Sequence, residues 1–146
     1  MRFETVRTTQ RARMTNRFTK TFTASPEHID ELGHVNNTVW VQWIQDMATL
    51  HWDAVAEAEH RARYFWVVIR HEIDYRGNIA SGQTATGTTY IAGEARGAKS
   101  VRVVEFTDAN GKQLVSAETT WAMLDRESGR LARIRPEVLA PFAIDD

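Results

Sequence analysis

From Thr38 to about Glu59 the apolar side chains recur every three or four residues. Trp40, Trp43, Ile44, Met47, His51, Ala54, Val55 and Ala58 share one stripe, and Gln42, Asp46, Thr49, Asp53 and Glu57 share the opposite one. That is the period of a helix with one buried side. No glycine or proline interrupts it, and it spans roughly 30 Å, enough to cross a small domain. Elsewhere the period is two. Between Asn16 and Ala24, Phe18, Phe22 and Ala24 fall on one face, interrupted by Lys20, with Arg17, Thr19, Thr21 and Thr23 on the other. From Tyr64 to Tyr75, Val67, Ile69, His71, Ile73 and Tyr75 alternate with Arg70, Glu72 and Asp74, the pattern of a strand with one wet face. Three further strands are expected: threonine-rich Gln83 to Ala92, Lys99 to Thr107, and Leu114 to Leu124. Turn signals separate them at Gly77, Ser81-Gly82, the Gly93 to Gly97 loop and Asp108-Ala109-Asn110-Gly111. A short helical turn is expected around Glu137 to Leu139.

The order is strand, long helix, then four strands (β-α-β-β-β-β), an α+β arrangement. Short turns between the last strands require antiparallel pairing. A single striped helix must bury its stripe on the sheet, so a five-stranded antiparallel sheet is expected to curl around it. Such a sheet keeps free edges for self-association. Residues 15–146 read as one domain. Residues 1–14, with Arg2, Arg7, Arg11 and Arg13, lack the apolar segment of a secretory signal and read as a mobile arm, because termini are usually poorly ordered.

Composition narrows the function. Hydrophobic residues are 42% and charged residues 25% of the 146, as in ordinary globular proteins. A formal net charge of -1 gives no electrostatic reason for a nucleic-acid or anionic-membrane partner. No apolar run approaches the roughly 20 residues of a membrane span. The absence of cysteine removes disulfides, thiolate-ligated metal and a thiol nucleophile, and suits a cytoplasmic location. His28, His34, His51, His60 and His71 show no metal-ligand spacing with acids, so no metal is expected. No serine lies in an elbow setting with a histidine and an acid.

The remaining chemistry sits in His28-Ile29-Asp30-Glu31-Leu32-Gly33-His34-Val35-Asn36-Asn37-Thr38, just ahead of the helix. A helix start presents unpaired N–H groups at the positive end of a dipole. Asn36, Asn37 and Thr38 are all good N-caps. An acid there has two readings: Asp30 holds loop amides as structure, or it works beside an amide that stabilises an oxyanion. The residues alone leave both open. His51 and His71, each on an apolar face, are expected as core or interface histidines. The five tryptophans, Trp40, Trp43, Trp52, Trp66 and Trp121, suit a core, an interface or an acyl pocket.

Order and motif together resemble the hotdog fold and, more narrowly, the 4-hydroxybenzoyl-CoA thioesterase-like family. Its pattern is Asp, two variable residues, Gly, often His-Val-Asn-Asn, then an aromatic, here Asp30 to Trp40. The likeness covers most of residues 15–140 and includes Val67 to Tyr75, Arg96-Gly97-Ala98-Lys99-Ser100 and Asp125 to Arg130. It departs at Trp40, where tyrosine is usual, and at Gly82-Gln83, where Gly-Asp often opens a strand. The resemblance implies hydrolysis of acyl-CoA or acyl-carrier-protein thioesters without a cofactor, coenzyme A being part of the substrate. It makes Asp30 the nucleophile or general base and places the carbonyl-polarising N–H, seven residues on, at Asn37. Gly33 would let substrate pass close, and Asn36 and Trp40 would contact it. His34 would orient water, bond Asp30, touch the acyl carbonyl, or tie the loop to the helix. Arg96, Lys99 and Ser100, with Arg102 just after them, would meet the phosphates of coenzyme A or form a solvated loop. The family's active sites usually lie between subunits, so a homodimer or tetramer with shared sites is implied. A hotdog hydratase or dehydratase and a non-catalytic acyl-CoA-binding module are the alternatives.

Overall fold

The computed structural model describes residues 17–143, so the arm at 1–14 lies outside the described residues. The chain runs β1 (Phe18–Thr23), one 3-10 turn (Pro26–His28), α1 (Asn37–Val55), α2 (Ala58–Arg63), β2 (Tyr64–Tyr75), β3 (Thr84–Arg96), β4 (Lys99–Thr107), β5 (Gln113–Asp125) and α3 (Pro136–Leu139). A second 3-10 turn, Ala140–Phe142, follows. The sheet has five strands in the order β1-β3-β4-β5-β2, every pair antiparallel. The expected hotdog architecture is therefore present, with β1 and β2 as its edges.

Strict alternation on β4 buries Ser100, Arg102, Val104 and Phe106 against α1. Trp40, Trp43, Ile44 and Met47 meet Val104, Phe106, Val115 and Ala117 in the main core. Trp40 lies 5.2 Å from Phe106 and 5.1 Å from Trp43, and Phe22 stacks on Trp43 at 5.0 Å. Each fully buried large side chain contributes roughly 1.5–3 kcal/mol, so this end of α1 is firmly held. Close approach there depends on Gly87, where a Cβ would stand 2.8 Å from both Met47 Sδ and Phe106 Cε1. A second cluster at the other end of α1 joins Tyr64, Met123, Ile134 and Val138, flanked by Trp52 and Trp66. Phe142 closes it from the chain's tail, stacked on Trp52 at 5.7 Å.

Three expectations are corrected. The helical stripe stops at His51: Ala54 and Ala58 are exposed, and α1 ends at Val55 before the extended Ala56. No breaker residue marks that end; after Ala56 the chain enters the short α2 at Ala58, which leads into β2. On β2 a register irregularity between Val68 and Arg70 puts Ile69 out of the ladder. Val67 and Ile69 consequently point outward, 38% and 48% exposed, rather than sharing a face with His71 and Ile73. Such a bulge changes which residues face the core. Finally, β3 continues through Gly93 to Arg96, with an irregular register, where a loop was expected.

Candidate active site

The loop between β1 and α1 combines short-range bonds of its own with anchors to the segment that leads into β3. Its base is clamped where Ala24 N–H donates to Gln83 O at 2.9 Å and Gly82 N–H donates to Ala24 O at 2.7 Å. The Gln83 side chain accepts from Ala80 N–H at 2.8 Å, a structural use of the position where the resembled family often has an acid. His28 Nδ1 lies 3.0 Å from Ser25 N and 3.1 Å from Ser25 Oγ. A bridge between Ile29 and Val35 then pinches off the segment carrying Asp30.

Inside the pinch, Asp30 N–H donates to His34 O at 2.9 Å and Gly33 N–H donates to Asp30 O at 3.0 Å. Asp30 Oδ1 accepts from Leu32 N–H at 2.9 Å and, more weakly, from His34 N–H at 3.4 Å. Both bonds fall on Oδ1, and Oδ2 accepts none among the described residues. Gly33 has φ of 84°, a conformation that glycine adopts without Cβ strain. Asp30 is half-buried, while the His34 ring is exposed and its backbone does the tying.

Asn36 closes the helix start. Its Oδ1 accepts from Thr38 N–H at 2.9 Å and from Thr38 Oγ1 at 2.8 Å. Its carbonyl accepts from Val39 N–H at 2.9 Å and Trp40 N–H at 3.3 Å. Of the first four helical amides, only that of Asn37 has no partner among the described residues. An exposed amide at a helix N-terminus is a donor suited to an oxyanion.

Asp30, Gly33, His34, Asn36 and Asn37 are thus brought together. Trp40 is close in sequence but fully buried in the core, its indole N–H directed to Asn78 Oδ1 at 3.3 Å. Arg96, Lys99 and Ser100 are not brought to this loop within one chain. The loop adjoins the Thr84 end of β3, and Arg96 is at the other end, roughly 40 Å of strand away. Arg96 and Lys99 are exposed at the tip of the β3–β4 hairpin, which turns at Gly97 with φ of 60°. Ser100 is buried, facing inward.

Arg102 is not in a phosphate-facing loop at all. It is 6% exposed, on the inner face of β4, where its Nη1 donates to His51 Nδ1 at 2.8 Å and to Thr89 Oγ1 at 3.1 Å. Its alternation with Val104 and Phe106 was the signal for that position. Burial, followed by the Arg102 charge, pushes His51 down to about 3, and burial pushes Arg102 down to about 10. His71 is half-buried and bonded to Thr119 Oγ1 at 2.8 Å; burial lowers it as well. Among the described residues, Glu57, Glu59 and His60 alone cluster with ligand atoms within 4.8 Å, and both acids are exposed. No described helix is long and apolar enough to cross a membrane.

An antiparallel sheet wrapped on one helix, entered through an acid-bearing loop, is a hotdog fold of the thioesterase class. The model of the acyl-ACP thioesterase N-terminal domain matches residues 15–142, and the chain belongs to that family. No curated protein sequence matches it. Among solved structures, a Staphylococcus aureus protein in complex with CoA is similar over 87% of this chain and 82% of its own, with 16% identity and a TM-score of 0.77. A 1,4-dihydroxy-2-naphthoyl-CoA thioesterase from Synechocystis is similar over 86% of this chain and 95% of its own, at 13% identity and TM-score 0.72. An acyl-ACP thioesterase from Bacteroides thetaiotaomicron is similar over 92% of this chain but 56% of its own, at 18% identity and TM-score 0.77. The chain therefore spans little more than half of that enzyme. The matching family is defined on acyl-ACP, whereas the motif loop resembles acyl-CoA enzymes. Thioester hydrolysis is common to both.

Proposed function

We propose that this protein hydrolyses acyl thioesters carried on coenzyme A or on an acyl carrier protein, with Asp30 as general base or nucleophile and the Asn37 N–H as oxyanion donor. The observation that carries the reading is the pairing, in one short loop, of an acid with the one unpartnered amide of the helix start. In the general-base route, Asp30 takes a proton from water as the water oxygen attacks the carbonyl carbon. The carbonyl electron pair moves onto oxygen, which the Asn37 N–H stabilises. Collapse expels the thiolate, and the proton held by Asp30 passes to sulfur. His34, exposed at the loop, orients the water. Gly33 permits close approach of the acyl group, Asn36 fixes the amide through its cap, and Trp40 supports the loop from the core.

The acting unit is a homodimer. One chain matches 56% of the acyl-ACP thioesterase from Bacteroides thetaiotaomicron, whose remainder has room for a second unit of about this size. The unpaired edge of β2, with outward Val67 and Ile69, offers the joining surface. Arg96 and Lys99, distant from their own Asp30, would then meet carrier phosphates at the partner's loop.

The test is thiol release from short, medium, long and aromatic acyl-CoAs and from acyl-carrier protein, with Asp30→Asn and Asp30→Ala beside wild type. In Asp30→Asn the side-chain amide oxygen can still accept both loop amides, so this variant keeps the loop while losing on the order of 10²–10⁴ in rate. Activity surviving both substitutions removes Asp30 from the mechanism.

A further inference from the structure

Between the two apolar clusters along α1 lies a polar layer that the Asp30 loop does not use. The register runs Ile91, Arg102, Thr119 and His71 straight across β3, β4, β5 and β2. From the helix, His51 drops onto Arg102. Because Arg102 donates to Nδ1, His51 accepts there and is the neutral tautomer with its proton on Nε2. Thr89, the other partner of Arg102, passes its own hydroxyl proton to Val103 O at 2.8 Å. Both partners are uncharged, and no ion pair among the described residues includes Arg102. A guanidinium carries five N–H donors, and among the described residues only Nη1 is engaged. Burying a cation without an anion is costly, yet this one is 6% exposed and set against a cavity.

That cavity has a volume of about 240 Å³ and is walled by Trp52, Trp66, Trp121 and Tyr64, with Ser100 and Arg102 as its inner polar groups. Arg61 and Arg126 also line it, against a single acid, Asp53. All three are exposed, so the buried charge is positive and the rim does not neutralise it. Apolar walls with one convergent charged group are the composition of a small-molecule site. Trp52 is roughly 20 Å along α1 from Asn37, so the cavity is separate from its own chain's Asp30 loop.

We propose that this cavity binds an organic carboxylate, its acid group paired with Arg102 and its apolar or aromatic body held among the tryptophans. The carboxylate has two sources: a free acid, or the far end of an acyl group that carries a terminal acid. The inference concerns binding and stands whether or not Asp30 performs hydrolysis.

The full-length protein is titrated with phenylacetate, benzoate and octanoate, and with the matching amides, followed by tryptophan fluorescence and calorimetry. Each acid that binds is expected to do so tenfold to a hundredfold more tightly than its amide. Arg102→Met is expected to bring the acid to the affinity of the amide, and Arg102→Lys to restore part of the difference. Competition with acyl-CoAs ending in a carboxylate or in a methyl group separates the sources. Displacement by the carboxylate-ended thioester alone assigns the acyl tail; displacement by neither assigns the free acid. Equal binding of acids and amides, unchanged acid affinity in a folded Arg102→Met, or no acid binding at millimolar concentration overturns the proposal. Should Arg102→Met not fold, the comparison of acid with amide on wild type decides alone.

Discussion

The buried His51 should make the fold acid-sensitive. It is 0% exposed, faces the Arg102 guanidinium at 2.8 Å, and is flanked by Phe18 at 5.5 Å and Phe142 at 4.8 Å. Protonating it would put a second cation into that layer and turn its Nδ1 from acceptor to donor. The native ring therefore stays neutral until about pH 3, while in the unfolded chain it titrates near 6.5. The unfolded state takes up the proton first as pH falls through 6.5, so the stabilising contribution is present above 6.5 and is lost progressively down to about 3. Linkage over that interval gives a loss of about 2 kcal/mol between pH 7 and pH 5. For a protein of this size that is a fall in Tm of about 4–8 °C. The assay is urea unfolding at pH 7, 6 and 5 for wild type and His51→Gln, whose amide oxygen can still accept from Arg102 but cannot titrate. His71, lowered by burial in the same direction, remains in both proteins and cancels in the comparison. Equal losses of stability in the two between pH 7 and pH 5 would refute the reasoning.

Other outcomes test neighbouring parts of the structure. Gly87→Ala places a methyl group 2.8 Å from Met47 Sδ and Phe106 Cε1 and should cost about 1–3 kcal/mol in denaturant unfolding. Asn36→Ala removes the acceptor of Thr38 N–H and should cost about 1 kcal/mol of stability, with a further drop in kcat because the Asn37 amide loses its setting. Ile69→Lys on the β2 edge should shift sedimentation toward monomer while leaving the circular dichroism unchanged, since Ile69 is 48% exposed. If the active site is shared, the same variant loses thiol release.

Much of this was legible in the chain itself. The ends of β2 and β4 coincide with those expected, because apolar alternation and flanking turn residues specify both. The first helical turn also follows from local chemistry: Asn36 caps and Gly33 turns within a few residues of one another. Two things escaped. Period-two counting carried Val67 and Ile69 inward, and one extra residue at Ile69 reversed them, since a bulge is set by pairing with β5 and not by the strand's own pattern. Likewise the helical stripe was drawn beyond His51, because alanines fit either face of a helix and only the tertiary turn at Ala56 decided the end.

The acid loop and the polar layer divide in the same way. Asp30, Gly33 and His34 are tied by bonds between residues at most four positions apart, and Asn36 caps within two, so that part of the motif could be read directly. Arg102 sits with His51 and Thr89 from two other elements, 51 and 13 residues away. Alternation with Val104 and Phe106 already pointed Arg102 inward, but only the antiparallel register and the crossing of α1 could show its partners and the cavity beside it. Local hydrogen bonding is written in the order of residues, whereas a buried charge depends on which distant segments surround it.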